Sequence, residues 1–241
     1  MGSINQKKLS CLVDGRPSSV AVDGAALHLA RTMSNLLVLG GAGLTGRLVT
    51  AQALAEGHSV TVLSRHPEEL ALTHPRLKTI AGDVTEDGVI ARALPGHDAV
   101  LSTLGRGQRL TSDHLMARTV ARLLPAMTQN GPRRLVYLSA FGAGEGRTHT
   151  RGLQRVMYAT LLRSLAADKS VADGEVSRST LEWTIVAPVT FTSDTRVGRY
   201  RVGERLDVRG LPMISRASVA DFMLKCLGDH ATIGKRLELA P

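Results

Sequence analysis

A strand-like run, Leu36-Leu37-Val38-Leu39, leads without a break into Gly40-Gly41-Ala42-Gly43-Leu44-Thr45-Gly46, and then into a segment whose apolar residues recur at helical spacing. The glycines read as G-x-G-x-x-G at Gly41, Gly43 and Gly46, or as G-x-x-G-x-x-G at Gly40, Gly43 and Gly46. Each glycine has a physical reason to be there. One turn needs an unhindered φ, one backbone segment must approach a pyrophosphate closely, and one helix must pack tightly on its strand. The helix that begins at Leu44 and Thr45 then offers unpaired N–H groups to the phosphates. The chemistry implied is the holding of a dinucleotide cofactor. The second strand-like run, Val60-Thr61-Val62-Leu63, ends in Ser64-Arg65-His66, with no carboxylate before Glu68. A carboxylate there would grip a ribose 2′-hydroxyl, whereas an arginine accommodates a 2′-phosphate, so Arg65 points to NADP(H). Arg65 also reads as an ordinary solvated arginine on a loop.

Such residues need a scaffold, and its pattern is legible. Strand-like runs fall at 36–39, 59–64, 77–81, 99–102, 134–139 and 184–187, with helical stretches between them at 44–56, 67–72, 86–93, 112–129 and 152–179. Strands alternating with helices predict parallel βαβ units with right-handed crossovers. The expected fold is α/β, a Rossmann-type doubly wound parallel sheet with helices on both faces. Residues 1–32 are rich in turn-formers and scattered charge and read as a loose extension. Residues 33–241 then form a single NAD(P)-binding domain, with a lid insertion at about 142–168 and a substrate region at about 188–216. Asp83, Ser102 and Ser139 fall at carboxyl ends of predicted strands, the rim where open α/β sheets bind ligands.

The glycine run, the Ser64-Arg65 strand end, Gly82-Asp83-Val84, His97-Asp98-Ala99-Val100 and Leu181-Glu182-Trp183-Thr184-Ile185-Val186-Ala187-Pro188 together resemble the atypical short-chain dehydrogenase/reductases of the NmrA-like, NAD(P)H-binding type. That group includes biliverdin reductase B, or flavin reductase. The resemblance runs from about Asn35 to Leu239. It implies that Asp83 and Val84 contact the adenine, that Thr103, Leu104 and Gly105 run beneath the cofactor, and that Pro188, Val189 and Thr190 border the nicotinamide amide. Better-known short-chain dehydrogenases also carry a serine and a Tyr-x-x-x-Lys pair. Ser139 fits the serine and Lys169 the lysine, but Leu165 stands where the tyrosine belongs. Without a phenolic acid, the developing oxyanion needs Ser139, Lys169 or water. Such a site suits acceptors whose reduced form is a stabilised anion.

The insertion begins with Gly142, Gly144 and Gly146, hinges of the kind a lid uses, and carries His149 and Tyr158. Tyr158 could replace the missing acid and His149 could act near neutral pH, though both more often pack or face solvent. Arg147, Arg151, Arg155 and Arg163 make this stretch basic: an electropositive lid, or a solvated face. Arg196, Arg199, Arg201, Arg205 and Arg209 interleave with Glu204 and Asp207 and read as a substrate-loop surface. Phe141, Tyr158 and Phe191 are the few rings near the expected pocket.

Composition narrows the rest. Of 241 residues, 43% are hydrophobic and 3% aromatic, and 30 Lys+Arg outweigh 21 Asp+Glu for a net charge of +9. The apolar fraction supports a buried core. The scarcity of rings argues against base stacking and hence against nucleic acid, whatever the charge suggests. No uncharged apolar run reaches the roughly eighteen residues of a membrane span. Two cysteines, Cys11 and Cys226, are too few for a disulfide framework or a cysteine-based metal site, so no metal is expected and a cytoplasmic setting is. The reading is an NADPH-dependent reductase of a conjugated carbonyl compound, an aromatic or polyketide-type ketone or a quinone, working as a monomer or homodimer. A flavin or biliverdin-type reductase is one alternative; an NmrA-like regulator that senses NADP without turnover is another.

Overall fold

Five short sequences, each buried along nearly its whole length, build the centre of the sheet: β2 (Asn35–Leu39), β3 (Ser59–Ser64), β5 (Ala99–Ser102), β6 (Arg134–Leu138) and β7 (Glu182–Pro188). Continuous burial of this kind marks strands covered on both faces, as parallel strands are. A computed structural model of the protein describes residues 20–22, 33–105, 114–143, 163–192 and 194–241. Around the central strands lie β1 (Val20–Val22), β4 (Leu77–Ala81), β8 (Thr190–Thr192), β9 (Tyr200–Gly203), β10 (Met213–Ser215) and β11 (Lys235–Ala240). The helices are α1 (Leu44–Ala55), α2 (Val89–Ala93), α3 (Leu115–Asn130), α4 (Arg163–Arg178) and α5 (Arg216–Gly228).

Among the described residues the main sheet has nine strands in the order β1-β9-β11-β7-β6-β5-β2-β3-β4. The seven from β11 to β4 are parallel; β9 runs antiparallel to β11, and β1 to β9. The chain leaves β2 toward β3 and β4, then returns to the other side of β2 for β5 and its successors. Between β2 and β5 the order therefore reverses, which opens the crevice where doubly wound sheets bind ligands. The expected fold is the observed one.

Strand alternation divides the core. Leu36 and Val38 face one layer with Val49 and Ala53 of α1 and Val219, Met223 and Leu224 of α5. Leu37 and Leu39 face the other with Ile90 of α2, Met116, Val120, Leu123 and Met127 of α3, and Ala172 and Val176 of α4. Arg134, buried at the start of β6, ties the sheet to α5 and the turn after it: its guanidinium donates to Glu182 O (2.6 Å), Thr184 Oγ1 (2.8 Å), Cys226 O (2.5 Å) and Thr232 Oγ1 (3.0 Å).

Several expectations shift. Val20–Val22, assigned to a loose extension, forms an edge strand paired with β9. Stretch 67–72 is a 3-10 turn over Pro67–Leu70, ended by Ala71 in a left-handed conformation. Residues 163–168, assigned to the lid, are the opening of α4. Near its start Asp168 is buried and accepts hydrogen bonds from Met116 N and Ala117 N (both 3.1 Å), capping α3 from outside.

Candidate cofactor and reduction site

The turn after β2 is shaped by contacts that a side chain would break. Gly40 has φ +78°, and a Cβ there would lie 3.2 Å from Leu104 Cα. A Cβ on Gly46 would lie 2.2 Å from Gly40 O and 2.6 Å from Gly41 Cα, so only glycine lets α1 start this close to the strand. Gly43 N donates to Gly40 O (3.0 Å) and closes the turn. Gly43 is also the N-cap of α1 and brings no capping side chain. The first-turn N–H groups of Leu44, Thr45 and Gly46 thus have no intrahelical acceptor and no side-chain substitute at the cap. Across the crevice, Thr103 N and Oγ1 both donate to Leu39 O at 2.9 Å, locking Thr103-Leu104-Gly105 against β2. Among the described residues, no heavy atom lies within 4 Å of a Cβ built on Gly105. Bare donors on one wall and side-chain-free space on the other fit a dinucleotide pyrophosphate.

At the adenine end, Arg65 is exposed just beyond β3, and Glu68, the first carboxylate after it, pairs with His66 at 3.3 Å. Asp83 follows β4 and accepts from Thr85 N (2.7 Å) and Thr85 Oγ1 (2.8 Å). Burial pushes its carboxyl up, but the Thr85 hydrogen bonds and the charges of Arg65 and Arg118 outweigh burial and hold it below the usual carboxylate range. Val84 is buried beside it.

The other end of the crevice is built by β6, α4 and β11. Leu135, Tyr137 and Ser139 share one face of β6 and its extension by parity, and that face looks toward α4. Lys169 and Asp173 are one turn apart on α4, so both reach the same strand end. Ser139 Oγ donates to Asp173 Oδ2 (2.7 Å), and Lys169 Nζ donates to Leu138 O (3.3 Å). Ser139, Lys169 and Asp173 are all buried. From β11, Arg236 Nε lies 3.8 Å from Asp173 Oδ2, while its other nitrogens donate to Glu238 Oε1 (3.2 Å), Ala140 O and Ala143 O (both 3.0 Å). Burial raises the Asp173 carboxyl by more than the Ser139 hydrogen bond, Arg236 and Lys169 lower it. Burial, with Asp173 and Asp168 nearby, also holds the Tyr137 phenol well above its ordinary value, so it stays neutral.

Ser139 and Lys169, proposed from sequence, are therefore brought together. Pro188 and Val189 are buried beside them, Val189 N donating to Leu239 O (3.0 Å), while Thr190 is exposed. Phe141 is corrected: it is a core residue, 1% exposed, not a pocket wall. Its N–H donates to Pro188 O (2.8 Å), and the turn with Gly142 at φ +80° carries its ring inward. Phe191 is partly buried, with the Arg216 guanidinium 4.9 Å from its ring centre. His149, Tyr158, Arg147, Arg151 and Arg155 lie outside the described residues. Of the substrate-loop arginines, Arg196 and Arg209 pair with Asp194 (3.8 Å) and Asp207 (3.6 Å), which fits a solvated surface. Sequence reasoning missed Asp173, Arg236 and Glu238. The four-residue spacing from Lys169 to Asp173 was the available signal.

Residues 40–230 match the family described as NAD(P)H-binding. A 3β-hydroxysteroid dehydrogenase/Δ5→4-isomerase of Mycobacterium tuberculosis is 32% identical over 123 residues, covering 46% of this chain and 33% of that protein. A 3β-hydroxysteroid dehydrogenase of Mycolicibacterium neoaurum is 27% identical over 155 residues, covering 59% and 42%. The chain thus spans less than half the length of these curated relatives. Among solved structures, a wide-type short-chain dehydrogenase/reductase of Veillonella parvula in complex with NADP superposes with a TM-score of 0.71 at 19% identity, covering 87% of this chain and 95% of that one. A candidate NADH-flavin reductase of Streptococcus pneumoniae gives 0.70 at 21% identity, covering 86% and 99%. At these identities the likeness is one of fold. With the glycine cradle, the strand order and the matched span in agreement, the chain belongs to the NAD(P)H-binding family.

Proposed function

We propose that this protein is an NADPH-dependent reductase of a conjugated carbonyl compound, an aromatic or polyketide-type ketone or a quinone. The observation that carries the reading is the convergence of Ser139 and Lys169 at the end of β6, at the sheet rim that also bears the glycine cradle. A structural serine needs no such lysine, and a surface lysine would not be buried. The reduced nicotinamide, when bound, supplies the hydride. Ser139 directs its hydroxyl at the acceptor oxygen, Lys169 holds the nicotinamide ribose, and burial of both keeps water from competing. Arg65 supports the NADPH preference, and Leu165 in place of a tyrosine restricts acceptors to those whose reduced oxygen is stabilised by conjugation. The steroid-dehydrogenase relatives and the candidate flavin reductase support this acceptor range, and flavins belong in its test.

Loss of reduced-nicotinamide absorbance against quinones, flavins and aromatic ketones tests the reading. Turnover with at least one acceptor class, faster with NADPH than NADH, is expected. Tight NADPH binding without turnover across the panel would instead favour an NADP-sensing regulator.

A further inference from the structure

Leu165 leaves the site without the phenol that commonly protonates a reduced carbonyl, yet the oxyanion still needs a proton. The groups around Ser139 include one that nothing in the sequence reading uses. Asp173 is 4% exposed, its Oδ2 meets Ser139 Oγ at 2.7 Å, and its Oδ1 is buried with no hydrogen-bond partner among the described residues. An ionised carboxylate normally has both oxygens satisfied when it is buried, because an unpaired buried anionic oxygen is costly. The bare oxygen costs less when the carboxyl is neutral, because it then carries less charge. The 2.7 Å contact serves in either direction. An ionised Asp173 accepts from Ser139, and a protonated one donates to it and frees the serine hydrogen for another acceptor.

We propose that Asp173 is the proton reservoir of the site, delivering its proton to the acceptor oxygen through the Ser139 hydroxyl in place of the missing tyrosine. This rests on the reductase reading above. As the acceptor carbonyl carbon gains hydride, its C=O π pair moves to oxygen. That oxygen forms an O–H bond with the Ser139 hydroxyl hydrogen, and Ser139 Oγ takes the proton from Asp173 Oδ2. The acceptor is reduced by two electrons, the nicotinamide is oxidised by two, and Asp173 is left as a carboxylate that water reprotonates. Lys169 on the same helix and Arg236 from β11 are the cations beside Asp173, and they hold the carboxylate while it lasts. Glu238 shares Arg236, at 3.2 Å, and moderates its charge. Tyr137 from β6 and Asp168 from α4 complete the titratable surroundings, and α3 brings the apolar Met116 and Val120 to this cluster. Burial keeps Asp173 protonated to a higher pH than an ordinary aspartate, which a reservoir requires. Asp173 acts on substrate only through Ser139, so it is a positioning and proton-supplying residue.

Two readouts test it on the full chain. In protein carrying 13C-labelled aspartate carboxyls, the Asp173 resonance is the one lost in Asp173→Asn. Its titration midpoint should lie above the ordinary aspartate range and rise further in Ser139→Ala, which removes a hydrogen bond favouring the anion. A midpoint at or below the ordinary range, or one indifferent to Ser139→Ala, overturns the relay. In single turnovers with NADPH and the best acceptor, the wild-type rate should fall as pH rises through that midpoint. Asp173→Asn should be slower by about 100-fold and flat with pH, and Asp173→Glu should restore the pH dependence. Turnover that Asp173→Asn leaves unchanged overturns the relay alone; no turnover with any acceptor overturns the reductase reading and the relay with it.

Discussion

At the end of β3 an arginine stands where a carboxylate would repel a 2′-phosphate. Arg65 is exposed, and its charge is one of those that lower the Asp83 carboxyl at this end of the crevice. A charge-assisted contact to phosphate contributes about 1.5–3 kcal/mol. Arg65→Ala should therefore weaken NADPH by roughly 10-fold or more and leave NADH nearly unchanged, as fluorescence titration of both cofactors would read. An unchanged ratio of dissociation constants would remove Arg65 from the discrimination. The glycines were readable at this scale because their demand is local: Gly40 needs its positive φ and Gly46 its missing Cβ whatever the rest of the chain does. Asp173 was not, since its partner Ser139 is 34 residues away and meets it only once α4 packs on β6.

Among the elements, α4 does the most to assemble the site. Its Asp168 caps α3 through Met116 N and Ala117 N, which fixes where α4 sits, and its buried face continues through Lys169, Ala172 and Asp173. The cap of α3 itself, His114, is in a left-handed conformation and brings no side-chain hydrogen bond, so Asp168 is the substitute. Removing a buried charged acceptor of two N–H groups should cost about 1–3 kcal/mol. Asp168→Ala is thus expected to lower the unfolding free energy by that amount in urea denaturation, whereas Asp168→Asn retains part of it. Asp173 adds a dependence on pH. Its carboxyl is raised in the folded state, so folded protein binds that proton more tightly than unfolded chain, and stability from this group is present at low pH and lost as pH rises through the raised value. Asp173→Asn should become progressively more stable relative to wild type as pH rises from acid to neutral in paired thermal melts; a gap that moves the other way would contradict a raised carboxyl.

The five central strands were legible because each is a short, largely apolar run bounded by turn-formers, and burial on both faces leaves little else that such a run can be. The distal strands were not. Tyr200–Gly203 is short and mixes charge with ring and glycine, and Lys235–Ala240 alternates polar with apolar residues, so both take their place from partners already in the sheet. Val20–Val22 is drawn onto β9 in the same way. Two helix starts were placed three residues early, at 112 against Leu115 and at 86 against Val89, because polar residues before a helix resemble its first turn.

For the molecule as a whole, the crevice at the reversal between β2 and β5 sets a direction: phosphate donors at Gly40–Gly46, Arg65 and Asp83 to one side, Ser139 and Lys169 to the other. A net charge of +9 with so few rings suits an anionic cofactor better than a stacked base. Among the described residues no helix is long and apolar enough to cross a membrane. The central claim is that this crevice delivers hydride to a carbonyl carbon under Ser139. It is tested most directly by one single-turnover experiment with NADPH deuterated at the transferring position and an aromatic ketone. Wild type should return alcohol carrying one deuterium on the former carbonyl carbon, and Ser139→Ala should form it about 100-fold or more slowly with NADPH affinity unchanged. Alcohol without deuterium, or equal rates in the two proteins, would contradict the account.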